Sequence, residues 1–155
     1  MNREQITALV VHAIHRIVDA ERELLDRNVS ERALAHHLAR FIREGVPATY
    51  HVDVEYNRHL DDPKRLQLPR RDALDDELRA TTVFPDIIVH VRGTDEHNLL
   101  VLEVKKPGEP LEYDEHKLRA FRRELNYQHA AHVILGRTGD TIIREVIWVD
   151  DNAGT

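Results

Sequence analysis

Two carboxylates and a lysine stand on neighbouring apolar segments of the chain, where charged side chains are unexpected. Asp86 belongs to the apolar run 84–91, and Glu103 and Lys105 belong to the run 98–105. A charge that is buried without a partner costs free energy, so a charge on such a segment needs compensation. A divalent cation held between the two carboxylates would supply it. The residues therefore indicate metal-dependent chemistry, and phosphodiester hydrolysis is the leading hypothesis.

The spacing of these residues is typical of a β-hairpin. If the two runs pair as antiparallel strands through the loop 93–96, Asp86 lies directly opposite Glu103. Directly opposed side chains have Cβ atoms about 5 Å apart, so the two carboxylates can hold one cation. Alternation along the strand puts Lys105 on the same face as Glu103, and the carbonyl of Val104 is a further oxygen ligand. Hard oxygen ligands favour Mg²⁺ or Mn²⁺ over Zn²⁺.

A different interpretation of the same residues is a salt-bridged pair on an exposed sheet edge, with Lys105 neutralising a carboxylate. The apolar run 99–102 argues against an edge, because such a run is typical of a strand that is buried on both faces. A third interpretation keeps the fold without catalysis. The presence of all three charged residues argues against it, but this alternative stays open.

The elements that must position these residues are indicated by hydrophobic periodicity and by capping residues. Helical periods, with suitable N-caps at Ser30 and Asp114, predict helices over residues 3–26, 31–44 and 114–128. Alternating or continuous apolar runs predict strands over residues 49–56, 83–92, 98–105, 131–135 and 141–149. The polar stretch 57–81 shows no pattern beyond compatibility with a short helix over 72–80.

Length and composition predict a single domain over residues 1–155. Of these 155 residues 41% are hydrophobic, which is enough for one core. The element order predicts an α/β fold, a mixed central sheet flanked by helices, with residues 1–27 as a helix that precedes the core. No run approaches the roughly 20 apolar residues that cross a membrane, and the chain contains no cysteine. The expectation is a cytoplasmic protein with no membrane partner.

The dipeptide Pro85-Asp86 and the tripeptide Glu103–Lys105, followed by a helix and a further strand, resemble the PD-(D/E)XK nuclease superfamily. That superfamily includes restriction endonucleases, Holliday-junction resolvases and repair nucleases. Its core is a helix, three antiparallel strands, a helix and a strand, and the order predicted for residues 30–136 matches it. The resemblance implies a restriction endonuclease-like fold in which Asp86 and Glu103 bind Mg²⁺. It also implies that Lys105 orients or activates the attacking water.

Glu31 is a candidate fourth member of the site. Many members of the superfamily add a glutamate from the helix before the first strand, and Glu31 fits that position. At about 100° per residue, Glu31 lies on the same helical stripe as Leu38 and Ile42, which faces the sheet. Its place in the first helical turn suits equally an acid that interacts with the helix dipole. Both interpretations of Glu31 stand.

Basic side chains outside the motif are candidate contacts to nucleic-acid phosphates. These candidates are Arg58 and Lys64 in the polar stretch and Lys117 and Arg122 in the later helix, with Glu55 as a possible accessory residue at the end of the first strand. The net charge of −6 argues mildly against indiscriminate nucleic-acid binding. A run of charge is also more often a solvated face than a binding surface.

The sequence thus predicts an endonuclease-like enzyme that hydrolyses DNA phosphodiester bonds through a water activated by Mg²⁺ or Mn²⁺. The alternative is a non-catalytic or partner-dependent module with the nuclease fold in a DNA repair or defence complex. A homodimer would supply the two sites that cutting both strands of a duplex commonly needs. The choice of DNA over RNA depends on the resemblance alone.

Overall fold

Helices and strands combine in an α/β arrangement, which the computed structural model describes over residues 1–56, 65–69, 78–82 and 84–151. The helices are α1 (Arg3–Ala20), α2 (Arg22–Asp26), α3 (Glu31–Gly45) and α4 (Glu112–Leu125). The strands are β1 (His51–Val54), β2 (Arg65–Pro69), β3 (Leu78–Thr82), β4 (Ile87–His90), β5 (Leu100–Lys105), β6 (His129–Thr138) and β7 (Thr141–Trp148). Over these ranges, no helix combines the length and the apolar composition that crossing a membrane requires.

Capping side chains set the starts of the two long N-terminal helices. Asn2 accepts a hydrogen bond from the N–H of Gln5 at 2.9 Å, and the Gln5 side chain accepts one from the N–H of Asn2 at 3.0 Å. Ser30 accepts from the N–H of Ala33 at 3.2 Å, so the predicted N-cap serine is confirmed. The single helix predicted over 3–26 is wrong, because Glu21 leaves helical geometry (φ −128°, ψ 30°) and divides it into α1 and α2.

Five strands form one mixed sheet in the order β1-β4-β5-β6-β7. β5 lies at its centre, antiparallel to β4 and parallel to β6, while β1–β4 and β6–β7 are antiparallel pairs. The β5 side chains from Leu100 to Val104 are all buried. The prediction of a strand that is buried on both faces is therefore confirmed, and an exposed sheet edge is excluded.

The two faces of this sheet differ in character. One face packs against α1 and α3 through the larger apolar core, to which β5 contributes Leu102 and Val104. On the opposite face, which we call the α4 face, the packed apolar side chains come from β2, β4, β5 and α4: Leu66, Ile88, Val101, Leu118 and Phe121. Side chains alternate along a strand, so the charged residues of β5 lie on the α4 face. The predicted α/β class with a mixed sheet is confirmed.

The hairpin register is as predicted. Ile87 pairs with Leu102 and Val89 with Leu100, and the same register continued by one residue sets Asp86 opposite Glu103. Both strands are shorter than expected. β4 ends at His90 because the chain turns there through several residues, including Gly93 at a positive φ of 81°.

The polar stretch between β1 and β4 differs from the prediction. β2 and β3 form a separate antiparallel pair, so residues 78–80 belong to a strand rather than to a short helix. Leu66 of β2 is fully buried beside α4. Burial of this residue favours a strand in a stretch whose local pattern is dominated by charge. The sequence was compatible with a short helix over residues 72–80, and of these, residues 72–77 lie outside the described residues.

A cluster of charged side chains fastens the edge strand β1 to β4 on the α4 face. Asp53 accepts from Nε of Arg92 at 2.9 Å and lies 2.7 Å from Nε2 of His90, and Nη2 of Arg92 also donates to it. The Arg92 N–H donates to Nδ1 of His51 at 3.2 Å. Burial alone would raise the pKa of Asp53, but its bonds to His90 and Arg92 lower that pKa well below the usual value. Asp53 is therefore ionised and stabilises the β1–β4 pair.

We expect Asp53→Asn to lower the free energy of unfolding at neutral pH by about 2 kcal/mol, because it removes the charged acceptor that His90 and Arg92 share. Chemical denaturation followed by circular dichroism measures this. A lowered folded-state pKa means that the contribution is complete above the unfolded pKa of about 3.9 and is lost as pH falls through the folded value. The difference between Asp53→Asn and wild type should therefore shrink below about pH 4.

The matched control is Asp19→Asn, at an exposed aspartate of α1. It makes the same chemical change outside the cluster and should leave the unfolding free energy unchanged. Equal stabilities of wild type and Asp53→Asn at neutral pH would contradict the role given to this cluster.

Candidate functional site

The structure brings the residues of the predicted motif together on the α4 face. Asp86 immediately precedes β4, and Glu103 and Lys105 occupy alternate positions of β5. Their charges interact, since Asp86 influences the pKa of Glu103 and Glu103 influences that of Lys105. The predicted juxtaposition of two carboxylates and an ammonium is therefore present at the end of the central strand.

Backbone contacts on two sides hold Asp86 in place. Its Oδ2 accepts a hydrogen bond from the N–H of Val104 in β5 at 2.8 Å. Its carbonyl oxygen accepts one from the N–H of Glu55, just after β1, at 3.3 Å. Val104 thus contacts the site through its N–H, whereas the sequence analysis invoked its carbonyl oxygen. The orientation of the half-buried Asp86 carboxylate is set by the backbone of the hairpin partner.

Glu103 is a buried carboxylate with a cationic partner. Only 2% of the residue is exposed, and its Oε1 lies 2.8 Å from Nζ of Lys117. Burial raises the pKa of Glu103 well above its usual value; the charges of Asp86 and Asp114 act in the same direction, and Lys117 opposes them. This carboxylate therefore demands a cation or a proton.

The environment of Lys105 favours its charged form, whereas burial disfavours the charged form of Glu103. Its Nζ lies 2.6 Å from Oδ2 of Asp114. Burial would lower the pKa of Lys105, but the hydrogen bond and the charge of Asp114, together with the charges of Glu31 and Glu103, raise it above the usual value. Lys105 therefore stays protonated. A permanent ammonium orients a water or stabilises negative charge, and it does not abstract a proton.

Two crossed ion pairs join β5 to α4. Lys105 of the strand pairs with Asp114 of the helix, and Lys117 of the helix pairs with Glu103 of the strand. Asp114 and Lys117 are three residues apart and therefore lie on the same side of α4. Nζ of Lys117 also donates to the carbonyl of Phe84 at 2.8 Å, next to Pro85 and two residues before Asp86. The helix thus contributes a carboxylate and an ammonium, which pair with the ammonium and the carboxylate of the strand.

This contribution of α4 was not predicted from the sequence. The helix begins at Glu112 rather than at Asp114, so Asp114 lies inside its first turn and its side chain faces Lys105 instead of capping the helix. Lys117 was expected on a phosphate-contacting surface, yet only 8% of it is exposed. The sequence did contain a signal for this contribution. Asp114 and Lys117 form the pattern Asp-x-x-Lys, in which an acid precedes a lysine as it does in Glu-x-Lys of the strand.

Glu31 lies at the C-terminal end of β5. Its Oε2 accepts a hydrogen bond from the N–H of Lys106 at 2.9 Å, and its charge raises the pKa of the neighbouring Lys105. Nζ of Lys106 donates to the carbonyl of Asn28 at 3.3 Å, on the chain that leads into α3. The predicted fourth member is thus adjacent to the motif, through the backbone that follows Lys105.

Glu55 lies beside the site but its side chain is directed elsewhere. Its backbone N–H contacts Asp86, as above, whereas its carboxylate pairs with Nε of Arg32 at 3.0 Å. The residue adopts a positive φ of 51° at the end of β1, where the chain turns away from the sheet. The backbone of Glu55 is therefore next to Asp86, whereas its carboxylate contacts α3.

The predicted phosphate-contacting residues are not gathered on one surface of the described chain. Arg122 donates to the carbonyl of Val149 at 2.9 Å and pairs with Asp151 at 3.1 Å, so it holds the chain that follows β7. Lys117 lies inside the fold. Arg58 and Lys64 lie outside the described residues.

His132 is a buried polar residue that the sequence analysis did not select. It pairs with Glu103 in the parallel β5–β6 register, so both side chains lie on the α4 face. Neither ring nitrogen has a hydrogen-bond partner within the part of the chain that the structure describes. Burial lowers the pKa of His132, which keeps the imidazole neutral. Its neighbours in sequence are apolar, so no local pattern distinguishes it from a core position.

The donor set of Asp86 and Glu103 fits a hard divalent cation. Mg²⁺ is commonly held by one or two carboxylates, and waters and substrate phosphates complete its coordination. Glu103 is a buried carboxylate whose burial is costly without a positive charge, so a cation would relieve it. Within the described ranges, no group of three histidine, cysteine, aspartate or glutamate side chains has the arrangement of a metal site.

Comparisons with protein-family models, with curated proteins and with solved structures found no match for this chain. The chemistry of the site is therefore inferred from its own geometry: a carboxylate pair, a protonated lysine and two ion pairs with α4.

Proposed function

We propose that the protein is a nuclease that hydrolyses DNA phosphodiester bonds with the help of Mg²⁺ or Mn²⁺. The observation that carries the proposal is the position of Asp86 opposite Glu103, with Lys105 on the same face of a buried central strand. Charged groups on such a strand are costly to maintain, and a catalytic site is a physical reason for their presence.

The arrangement of elements supports a restriction endonuclease-like fold as part of the same proposal. α3 is followed by three strands that pair antiparallel in the order β1-β4-β5, then by α4, and then by β6, which is parallel to β5. This is the order of the core to which the motif is similar. The pair β2–β3 is then an insertion between the first and second core strands.

In the proposed reaction, each residue has a role that follows from its environment. Asp86 and Glu103 would hold the cation, with the Val104 carbonyl as a further oxygen ligand. A cation held there would supply polarisation of the scissile phosphate and a lowered pKa of a coordinated water. Lys105, protonated and held by Asp114, orients that water or stabilises the negative charge that develops on the phosphate. Glu31 contacts the backbone that follows Lys105 and supports its position.

A second candidate function is a non-catalytic module that binds protein or nucleic acid with the same fold. The observation in its favour is the ion pair of Glu103 with Lys117, which neutralises this carboxylate within the protein itself. The net charge of −6 also suits a subunit that reaches DNA through a partner in a repair or defence complex. A second copy of the chain is another partner that would complete a two-site nuclease.

The catalytic proposal predicts that Asp86→Asn and Lys105→Met each lower the rate of Mn²⁺-dependent cleavage by roughly 100-fold, the usual loss when one charge-stabilising group is removed. The assay compares supercoiled, linear, branched and single-stranded DNA, and RNA, with Mn²⁺ or with a chelator. The control is Asp140→Asn, in the exposed turn between β6 and β7, which should cleave at the wild-type rate.

Unfolding curves of both variants must first show folded protein, since Lys105→Met leaves Asp114 without its partner. Wild-type rates in a folded Asp86→Asn or Lys105→Met variant would overturn the assignment of residues. Cleavage that persists in the chelator would overturn the role of the metal.

Metal binding separates the two candidate functions. A nuclease site should bind Mn²⁺ in isothermal titration calorimetry, and Glu103→Gln should abolish this binding because the amide is a weaker ligand for a hard cation. A non-catalytic module predicts no binding by either protein. Mn²⁺ binding that is equal in wild type and in Glu103→Gln would place the metal elsewhere.

A further inference from the structure

Lys117 occupies an unusual position for a lysine on a helix. It is 8% exposed, and its ammonium lies 2.8 Å from Glu103 and 2.8 Å from the carbonyl oxygen of Phe84. Lysines on helices of this size usually extend into water, because a buried ammonium loses its hydration. The ion pair with Glu103 and the hydrogen bond to the Phe84 carbonyl replace that hydration.

The ammonium therefore lies on the same carboxylate that the proposed metal site requires. A buried carboxylate is stabilised by a cation in contact with it, and Lys117 supplies that cation without metal. A divalent cation that binds Glu103 must share or displace this ammonium, because two cations on one carboxylate repel each other. The displaced ammonium would keep its bond to Phe84 and its attraction to Asp114, so its movement does not strand a charge.

We infer that Lys117 is a resident counter-ion that competes with the divalent cation for Glu103 and thereby sets the metal affinity of the site. The inference depends on the proposed function, because it concerns the same carboxylate pair. It assigns Lys117 a regulatory and positioning role: the lysine keeps the metal-free site neutral and folded, and weakens its hold on a cation. Lys105, paired with Asp114, has no such competition with the metal.

The test is the affinity for Mn²⁺ alone, measured by isothermal titration calorimetry without nucleic acid. Lys117→Met keeps an unbranched side chain of similar length and removes the charge. It should bind Mn²⁺ roughly 10-fold more tightly than wild type, since a charge within contact distance of the ligand is removed. The matched control is Lys106→Met, which removes an equal charge that contacts Asn28 rather than Glu103 and should leave the affinity unchanged.

Thermal unfolding covers the case in which Lys117→Met is unstable without metal. The buried Glu103 then has no cation, so added Mn²⁺ should raise the unfolding temperature of Lys117→Met more than that of wild type. If Lys117→Met is unfolded when metal-free, Mn²⁺ should restore its far-ultraviolet circular dichroism. The double variant Lys117→Met/Glu103→Gln should be folded without metal and should show no Mn²⁺-dependent shift.

The outcomes separate this inference from the proposed function. Mn²⁺ affinity of Lys117→Met that is equal to or weaker than that of wild type, with no larger thermal shift and no Mn²⁺-dependent refolding, would overturn the counter-ion role and leave the metal site intact. If neither wild type nor Lys117→Met binds Mn²⁺, the proposed function itself fails.

Discussion

Glu103, a carboxylate buried in the central strand, imposes an electrostatic constraint on the layers that surround it. Glu103 is almost entirely excluded from solvent, and an ionised carboxylate in such a place is stable only beside a positive charge. Of its neighbours in the sheet, Asp86 is acidic, His132 is neutral, and Lys105 is paired with Asp114. The charge must come from the layer above the sheet, so α4 has to cross β5 with Lys117 facing down. The electrostatics of the site therefore constrain the position of α4, which must lie where Lys117 can contact Glu103.

The two faces of the sheet differ in how their buried side chains are stabilised. The face under α1 and α3 is apolar and carries the larger core. The α4 face combines a smaller apolar cluster with acidic and basic side chains that lie in pairs: Asp53 with Arg92, Glu103 with Lys117, and Lys105 with Asp114. Replacing such a pair by apolar residues often costs little stability, whereas removing one partner is destabilising. A fold that maintains them derives its stability from the other face, and departures from an apolar interior of this kind are typical of functional sites.

The sequence was sufficient for the register of the motif and insufficient for its partners. Side-chain alternation and the length of the connecting loop determine that Asp86 lies opposite Glu103, and both are local properties. The pairing of Glu103 with Lys117 spans a helix and a strand, and no local pattern specifies which side of α4 faces the sheet when charged residues occupy both sides. The pair β2–β3 was missed for a related reason, since Leu66, a buried residue of β2, lies within a charged stretch whose strand tendency depends on contact with α4.

Glu103 and Lys105 differ in which protonation state their environment favours, and this difference limits the chemistry that the site could perform. The raised pKa of Glu103 favours a bound cation or proton, while the raised pKa of Lys105 keeps its ammonium intact. In the proposed nuclease Lys105 would therefore stabilise or orient rather than act as the base, and a cation held by the carboxylates would have to promote the deprotonation of water. The same pairs satisfy the charges of the site when no cation is bound. A nuclease and a binding module would therefore share this metal-free arrangement. In a nuclease a metal would replace Lys117 beside Glu103, and in a binding module Lys117 would stay there.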